Sequence, residues 1–154
     1  RLLPLALLTT LAACAGGLGP RTPPPPLVVT ATDGTASAAP LISWTDIGAT
    51  SVWVEGPDGR TVWGIEAGGR SLPDNRYERV LIASPVPYGA YADRSGATEA
   101  TPRTTTAPGP LEPGVTYTAR VTYLGGGSGG FVGRRPIVRQ GAATFTVARR
   151  TPGR

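Results

Sequence analysis

From residue 27 onward, the apolar residues of this chain recur at every second position in short segments, and no segment keeps the 3.6-residue apolar period of an amphipathic helix. Glycine, proline, aspartate and asparagine separate these segments. Short alternating segments between turn residues are typical of strands that bury one face of a sheet. The sequence therefore predicts an all-β fold with almost no helix.

The predicted strands follow from this alternation. They are residues 27–32, 41–45, 51–55, 60–65, 77–84, 102–106, 117–124 and 144–148. Residues 117–124 are the clearest, because an apolar or aromatic side chain occupies every second position. Residues 85–110 are rich in proline and threonine, and only the short strand at 102–106 is expected there. The predicted core consists of Ile42, Trp44, Val52, Val54, Val121, Phe145 and Val147, with Tyr117 at a corner.

The sequence Leu-Glu-Pro-Gly-Val-Thr-Tyr at residues 111–117 resembles the corner that precedes the penultimate strand in the fibronectin type III family. The resemblance implies that the hydroxyl of Tyr117 bonds back to the backbone and holds the crossover between two sheets. It places Trp44 at the core tryptophan of the family, and Val52 and Val54 as the inward pair of the third strand.

The expected architecture is therefore an Ig-like, fibronectin type III-like antiparallel sandwich. The resemblance covers residues 27–148, but residues 85–110 and 131–140 depart from the family pattern. Because this family is a scaffold, it implies an architecture and no activity.

The amino-terminal residues indicate export. Residues 2–11 form an apolar run after Arg1 that is too short for a bilayer of roughly 30 Å and suits the apolar region of a signal peptide. The run ends in Leu11, Ala12, Ala13 and Cys14, which resembles the lipobox of bacterial lipoprotein signal peptides. The alternative is an ordinary signal peptide with an incidental cysteine.

The lipobox resemblance implies that Leu11, Ala12 and Ala13 are recognised by the signal peptidase and that Cys14 receives lipid. Cys14 then begins the mature chain, and several acyl chains anchor it to a membrane. Alanine at position 15 implies the outer membrane if the cell has two membranes, with the domain facing the periplasm or the exterior.

The expected organisation has four parts. Residues 1–13 are the signal peptide, 14–26 a lipidated Gly/Pro-rich tether, 27–149 the sandwich and 150–154 a tail. Cys14 is the only cysteine, so no intramolecular disulfide supports the domain and the apolar core must do so.

Composition argues against catalysis. The chain has no histidine, which removes the commonest general base and metal ligand, and none of its ten carboxylates is marked by spacing as an acid or a base. We therefore expect no enzyme activity, no metal and no cofactor apart from the lipid on Cys14. The net charge of +5 is mild for 154 residues and does not indicate nucleic-acid binding.

A hairpin is predicted where residues 51–55 and 60–65 flank Gly56, Pro57, Asp58 and Gly59. Its register decides which residues are available for binding.

If a glycine bulge follows the turn, as the Pro-Asp-Gly sequence favours, Val54 faces Val62 and Trp53 faces Trp63, and both tryptophans point outward. Without the bulge, Trp53 faces Val62, and Trp63 joins the core.

An outward pair of Trp53 and Trp63, with Glu55 beside it, would form a face for a sugar or a protein partner. The alternative is that residues 85–110 fold over this pair and cover it.

A second candidate is a flexible basic loop formed by Arg134, Arg135 and Arg139 after a glycine run, and its alternative is a solvated hairpin without a partner.

The sequence thus leads to a non-catalytic envelope lipoprotein that presents a β-sandwich for a structural or protein-interaction role. The expected partners are the membrane, through the lipid, and another envelope protein or a glycan. The alternative function is a carbohydrate-binding module that uses Trp53 and Trp63.

Overall fold

A computed structural model describes residues 25–33, 39–45, 48–74, 77–92, 98–125 and 137–148. These residues form ten strands and no helix. The strands are β1 (Val29–Ala31), β2 (Leu41–Trp44), β3 (Ser51–Glu55), β4 (Thr61–Glu66), β5 (Gly68–Ser71), β6 (Tyr77–Val80), β7 (Val86–Pro87), β8 (Arg103–Thr106), β9 (Thr116–Gly125) and β10 (Ile137–Thr146).

The strands form two packed sheets and a separate hairpin. One sheet has three strands in the order β1-β2-β7, the other has five in the order β10-β9-β3-β4-β8, and β5 pairs with β6. Every strand pair is antiparallel. The first two strands lie in one sheet and the third, ninth and tenth in the other, which is how Ig-like sandwiches divide their strands. The predicted fold class, an all-β antiparallel sandwich, is confirmed.

The core lies between the two sheets and follows the alternation seen in the sequence. In β3, Val52 and Val54 are fully buried while their neighbours are half-buried, so one face of this strand points inward. All eight residues predicted for the core and its corner are buried. The core also contains Leu27, Ala49, Trp63, Ile65, Ile82, Val86 and Ala119.

The corner predicted at residues 111–117 has the expected hydrogen bond. The backbone N–H of Glu112 donates to the hydroxyl oxygen of Tyr117 at 2.8 Å. The ring of Tyr117 stacks on Phe145, with ring centroids 5.6 Å apart. Gly114, which has a φ of 80°, donates its N–H to the carbonyl of Val147 at 2.7 Å. The corner therefore joins the start of β9 to the end of β10 through side-chain and backbone contacts.

We expect Tyr117→Phe to lower the free energy of unfolding by about 1–3 kcal/mol, because the substitution leaves the part-buried N–H of Glu112 without its acceptor. Tyr123→Phe is the matched control, since the Tyr123 hydroxyl has no hydrogen-bond partner among the described residues. Its effect should stay within about 0.5 kcal/mol. Urea unfolding of both variants measures the difference, and equal effects would mean that the corner bond adds no stability.

The sequence pattern did not predict β5 or β7. It predicted the last strand at residues 144–148, whereas β10 is Ile137–Thr146. β5 starts with two glycines and is held by β6, with the ring of Tyr77 covering Gly69. β7 has only two residues, and its partner is β2. The first half of β10 has no apolar alternation and extends only because it continues the ladder with β9.

Candidate functional site

The candidate site is built on the β3–β4 hairpin, whose turn has the predicted form. The carbonyl of Gly56 accepts from the N–H of Gly59 at 3.0 Å, and the N–H of Gly56 donates to the carbonyl of Arg60 at 2.8 Å. Gly59 has a φ of 76°, which places it in the left-handed region that the glycine bulge requires. This turn pairs Glu55 with Thr61, as the favoured register requires.

Beyond Thr61, the favoured register is wrong. A second irregularity lies between Val54 and Glu55, so that Val54 faces Trp63 and Trp53 faces Gly64. Val62 is the extra residue of this bulge, which moves every later side chain of β4 to the opposite face.

Trp63 is therefore not part of an exposed pair. Its side chain points into the core and is 0% exposed. The alternative register predicted this inward direction, but it paired Trp53 with Val62, and that pairing is not present either. Burial of a whole indole is worth more than an unbroken ladder, which is the physical reason for the second bulge.

Residues 85–110 contribute to the cover of Trp63. Tyr88 packs against the indole with ring centroids 5.3 Å apart, and its hydroxyl donates to the carbonyl of Gly109 at 2.7 Å. Burial raises the pKa of Tyr88 to about 12, so the hydroxyl is protonated at neutral pH. The alternative of a segment folded over an outward pair does not apply, because Trp63 points inward and Tyr88 packs on it within the core.

Trp53 lies on the outer face of the five-stranded sheet and is half-buried. Its Nε1 donates to Oε1 of Glu55 at 3.0 Å. The other carboxylate oxygen of Glu55 accepts from Nε of Arg120 at 2.7 Å. Trp53 and Arg120 face each other on β3 and β9, so the sheet register itself brings the three side chains together.

These contacts also set the charge of Glu55. The hydrogen bond from Arg120, followed by the one from Trp53, lowers the pKa of this carboxyl below its usual value. Glu55 is therefore ionised at neutral pH and holds the edge of the indole in one orientation.

An open groove of about 310 Å³ runs beside Trp53 on the same outer face. Gly64 faces Trp53 on β4, and a Cβ atom there would lie within 3.7 Å of Trp53, Thr105 and Thr106. Trp53 forms one wall, and Thr105 and Thr106 of β8 line the other. Ser51, Thr61 and Glu66 complete the polar lining of the groove. We call this feature the Trp53 groove.

Two ion pairs flank the Trp53 groove. Glu55 pairs with Arg120, and Glu66 pairs with Arg103 at 2.9 Å. Both pairs are partly exposed to solvent, so they add little to stability. Their effect is to orient polar groups beside the groove and to balance two negative charges with two positive ones.

Of the three arginines predicted for a basic loop, Arg139 is the one that the structure describes, and it is not in a loop. Arg139 lies within β10, opposite Tyr123, and its Nε donates to the carbonyl of Pro25 at 2.8 Å. The continued β9–β10 ladder is the reason, since it draws residues 137–140 into the sheet. Arg134 and Arg135 lie outside the described residues, as do Leu11, Ala12, Ala13 and Cys14.

Sequence reasoning found Trp53 and Glu55 but missed Arg120, Gly64, Thr105 and Thr106. The sequence contained a signal for Gly64, because a glycine inside a strand pattern often marks a bulge or a close approach of another segment. The contribution of Arg120 had no such signal, since it depends on the pairing of β3 with β9.

Within the described ranges, no three histidine, cysteine, aspartate or glutamate side chains gather in a group that could hold a metal ion. In the same ranges, no helix has the length and apolar character needed to cross a membrane. No protein-family model, curated protein or solved structure matches this chain.

Proposed function

We propose that the protein is a non-catalytic, lipid-anchored component of the cell envelope and that its sandwich domain binds another envelope component. The observation that carries the proposal is the half-buried Trp53, held by Glu55 and Arg120 at the centre of the outer face of the larger sheet. The anchoring part of the proposal rests on the resemblance of Leu11–Cys14 to a lipobox.

The arrangement around Trp53 fits a binding surface. Tryptophan supplies a large contact area, and it is enriched among the residues that dominate binding energy. An indole that is already hydrogen-bonded loses little conformational freedom when a partner binds, so more of the contact energy remains as affinity.

The carboxylates beside the groove support a non-catalytic role. A general acid that works at neutral pH needs a raised pKa, whereas the pKa of Glu55 is lowered by Arg120 and Trp53. Glu66 is paired with Arg103. Glu55 is therefore poorly suited to act as a general acid, and the ion pair of Glu66 orients a polar group beside the groove.

The start of the domain is placed well for an anchored protein. Pro25, in the expected tether, accepts a hydrogen bond from Arg139, and the N–H of Leu27 donates to the carbonyl of Gln140 at 3.1 Å. The chain thus enters the domain beside β10, whereas the Trp53 groove lies over β3, β4 and β8. This separation supports a tether that leaves the groove open to a partner.

We expect the wild-type protein to sediment with membranes and Cys14→Ser to remain in the soluble fraction or as an uncleaved precursor, because serine cannot accept the thioether-linked lipid. Membrane fractionation followed by mass spectrometry of the amino terminus measures both. Ala15→Ser is the matched control and should remain in the membrane fraction. An unmodified mature terminus elsewhere in the chain, with soluble wild-type protein, would show the anchoring proposal to be wrong.

The same membranes test the binding face. A photoreactive amino acid is placed at Thr61, on the rim of the Trp53 groove, or at Thr30, which is exposed on β1 of the other sheet. The proposal requires a discrete crosslinked product from position 61 that is weaker in the Trp53→Ala background. Equal products from both positions, or none from position 61, contradict it.

A further inference from the structure

We infer that the Trp53 groove is a binding site for a neutral saccharide, one sugar ring of which stacks against the indole of Trp53 and bonds to the hydroxyls of the opposite wall. The inference rests on the proposed function, since it names the ligand class of the same non-catalytic surface. It differs from a platform of two tryptophans, because Trp63 is buried and only one indole is available.

The first step of the argument is the space over Gly64. A Cβ atom at this position would lie 2.9 Å from Oγ1 of Thr105 and 3.6 Å from Cβ of Trp53. A side chain at this position would therefore project between Trp53 and Thr105 and narrow the space beside the indole. Glycine is otherwise unfavourable in the middle of a strand, so its presence here is consistent with a need for open space beside the indole.

The second step is the irregular pairing of β8. Gly64 faces Thr106 and Ile65 faces Thr104, so Thr105 is the extra residue of a bulge. Consecutive residues of a regular strand point to opposite faces. The bulge brings both Thr105 and Thr106 to the groove, and bulges commonly redirect side chains in this way at binding sites.

The third step is the hydrogen-bonding capacity of the lining. The hydroxyls of Ser51, Thr61, Thr105 and Thr106 have no hydrogen-bond partner among the described residues. A ligand that bears several hydroxyls can satisfy these groups when it displaces water. An apolar peptide side chain would leave them unpaired, which carries a desolvation penalty. The lining therefore favours a saccharide over an apolar peptide.

The fourth step concerns charge and size. Glu55 and Glu66 are each paired with an arginine, Arg120 and Arg103, so the charged groups beside the groove balance to zero. This balance favours a neutral ligand over an anionic one. A volume of about 310 Å³ is at the lower end of the range for small-molecule sites, which suits a single ring of a longer chain.

The test uses the full-length protein, purified with its amino terminus intact, and a glycan array that carries neutral cello-, xylo-, manno- and chito-oligosaccharides. The strongest of these ligands is then titrated against wild type and variants by calorimetry. We expect two variants each to weaken binding by about tenfold or more. Trp53→Ala removes the stacking wall, and Gly64→Ala places a methyl group between Trp53 and Thr105 while keeping the indole. Leu124→Ala is the control, because Leu124 is exposed on the outer face of β9 away from the groove.

Circular dichroism melts establish that each variant is folded before its affinity is interpreted. Absence of wild-type binding to all of these glycans at millimolar concentration would overturn the inference. Binding that survives in both groove variants, or that is lost in Leu124→Ala, would overturn it as well. In each case, a crosslink from position 61 that is weaker in the Trp53→Ala background would still support the proposed function. The failure of the saccharide inference is therefore distinguishable from the failure of the proposed function.

Discussion

Trp63→Ala is expected to lower the free energy of unfolding by about 3–5 kcal/mol, whereas Trp53→Ala in the same hairpin should cost about 1 kcal/mol or less. Trp63 is 0% exposed between the two sheets and packs on Tyr88, so truncation removes a full indole from the core and leaves a cavity. Trp53 lies on the outer face and is half-buried. Its truncation removes a partly buried indole and one hydrogen bond to Glu55, which water can replace.

Denaturant unfolding of the two variants, measured side by side, decides this prediction. Trp63→Phe is a useful third variant, because it keeps an aromatic ring in the core and removes an Nε1–H that has no hydrogen-bond partner among the described residues. It should be clearly more stable than Trp63→Ala. If Trp53→Ala were the more damaging of the two alanine variants, the second bulge at Val62 and the assignment of faces in β4 would be wrong.

Trp44→Ala is expected to cost a similar amount, about 3–5 kcal/mol, from the opposite side of the core. Trp44 ends β2 of the three-stranded sheet, is 7% exposed and belongs to the same buried cluster as Trp63. The backbone N–H of Trp44 donates to Oγ of Ser84, and this hydrogen bond is retained in the alanine variant. The whole effect should therefore come from the loss of the buried indole.

Ser43→Ala is the matched control for Trp44→Ala. Ser43 is the neighbouring residue of β2, is half-buried and points away from the core, so its substitution should change the free energy of unfolding by no more than about 0.5 kcal/mol. Chemical denaturation monitored by circular dichroism compares the two without relying on tryptophan fluorescence, which Trp44→Ala itself changes. A near-neutral Trp44→Ala would contradict the packing of the smaller sheet against the larger one.

The larger features of the fold followed from local patterns. Alternation in β3 and β9 correctly placed Val52, Val54 and Val121 in the core, because a strand that buries one face must alternate. The resemblance of residues 111–117 to the fibronectin type III corner correctly implied the bond at Tyr117, and this short motif contains both of its partners. These elements depend on residues close together in the sequence.

The weaker elements depend on partners that are distant in the sequence. β7 is a strand only because it pairs with β2, and the first half of β10 only because β9 continues beside it. Neither segment has the alternation that a sequence pattern can detect. Gly141, within β10, is required for a tertiary reason as well, since a Cβ there would overlap the carbonyl oxygen of Leu27.

For the candidate site, the sequence by itself determined the hairpin turn and the glycine bulge at Gly59, because both depend on the few residues around Pro57 and Asp58. The outward direction of Trp53 followed from its alternation with the inward Val52 and Val54. Only the tertiary structure decided that Trp63 turns inward. An extra residue at Val62 costs little in the ladder, but it reverses the face of the rest of β4 and allows an indole to be buried against Tyr88. The partner that makes this bulge favourable lies in another segment of the chain, and for that reason local sequence could not specify it.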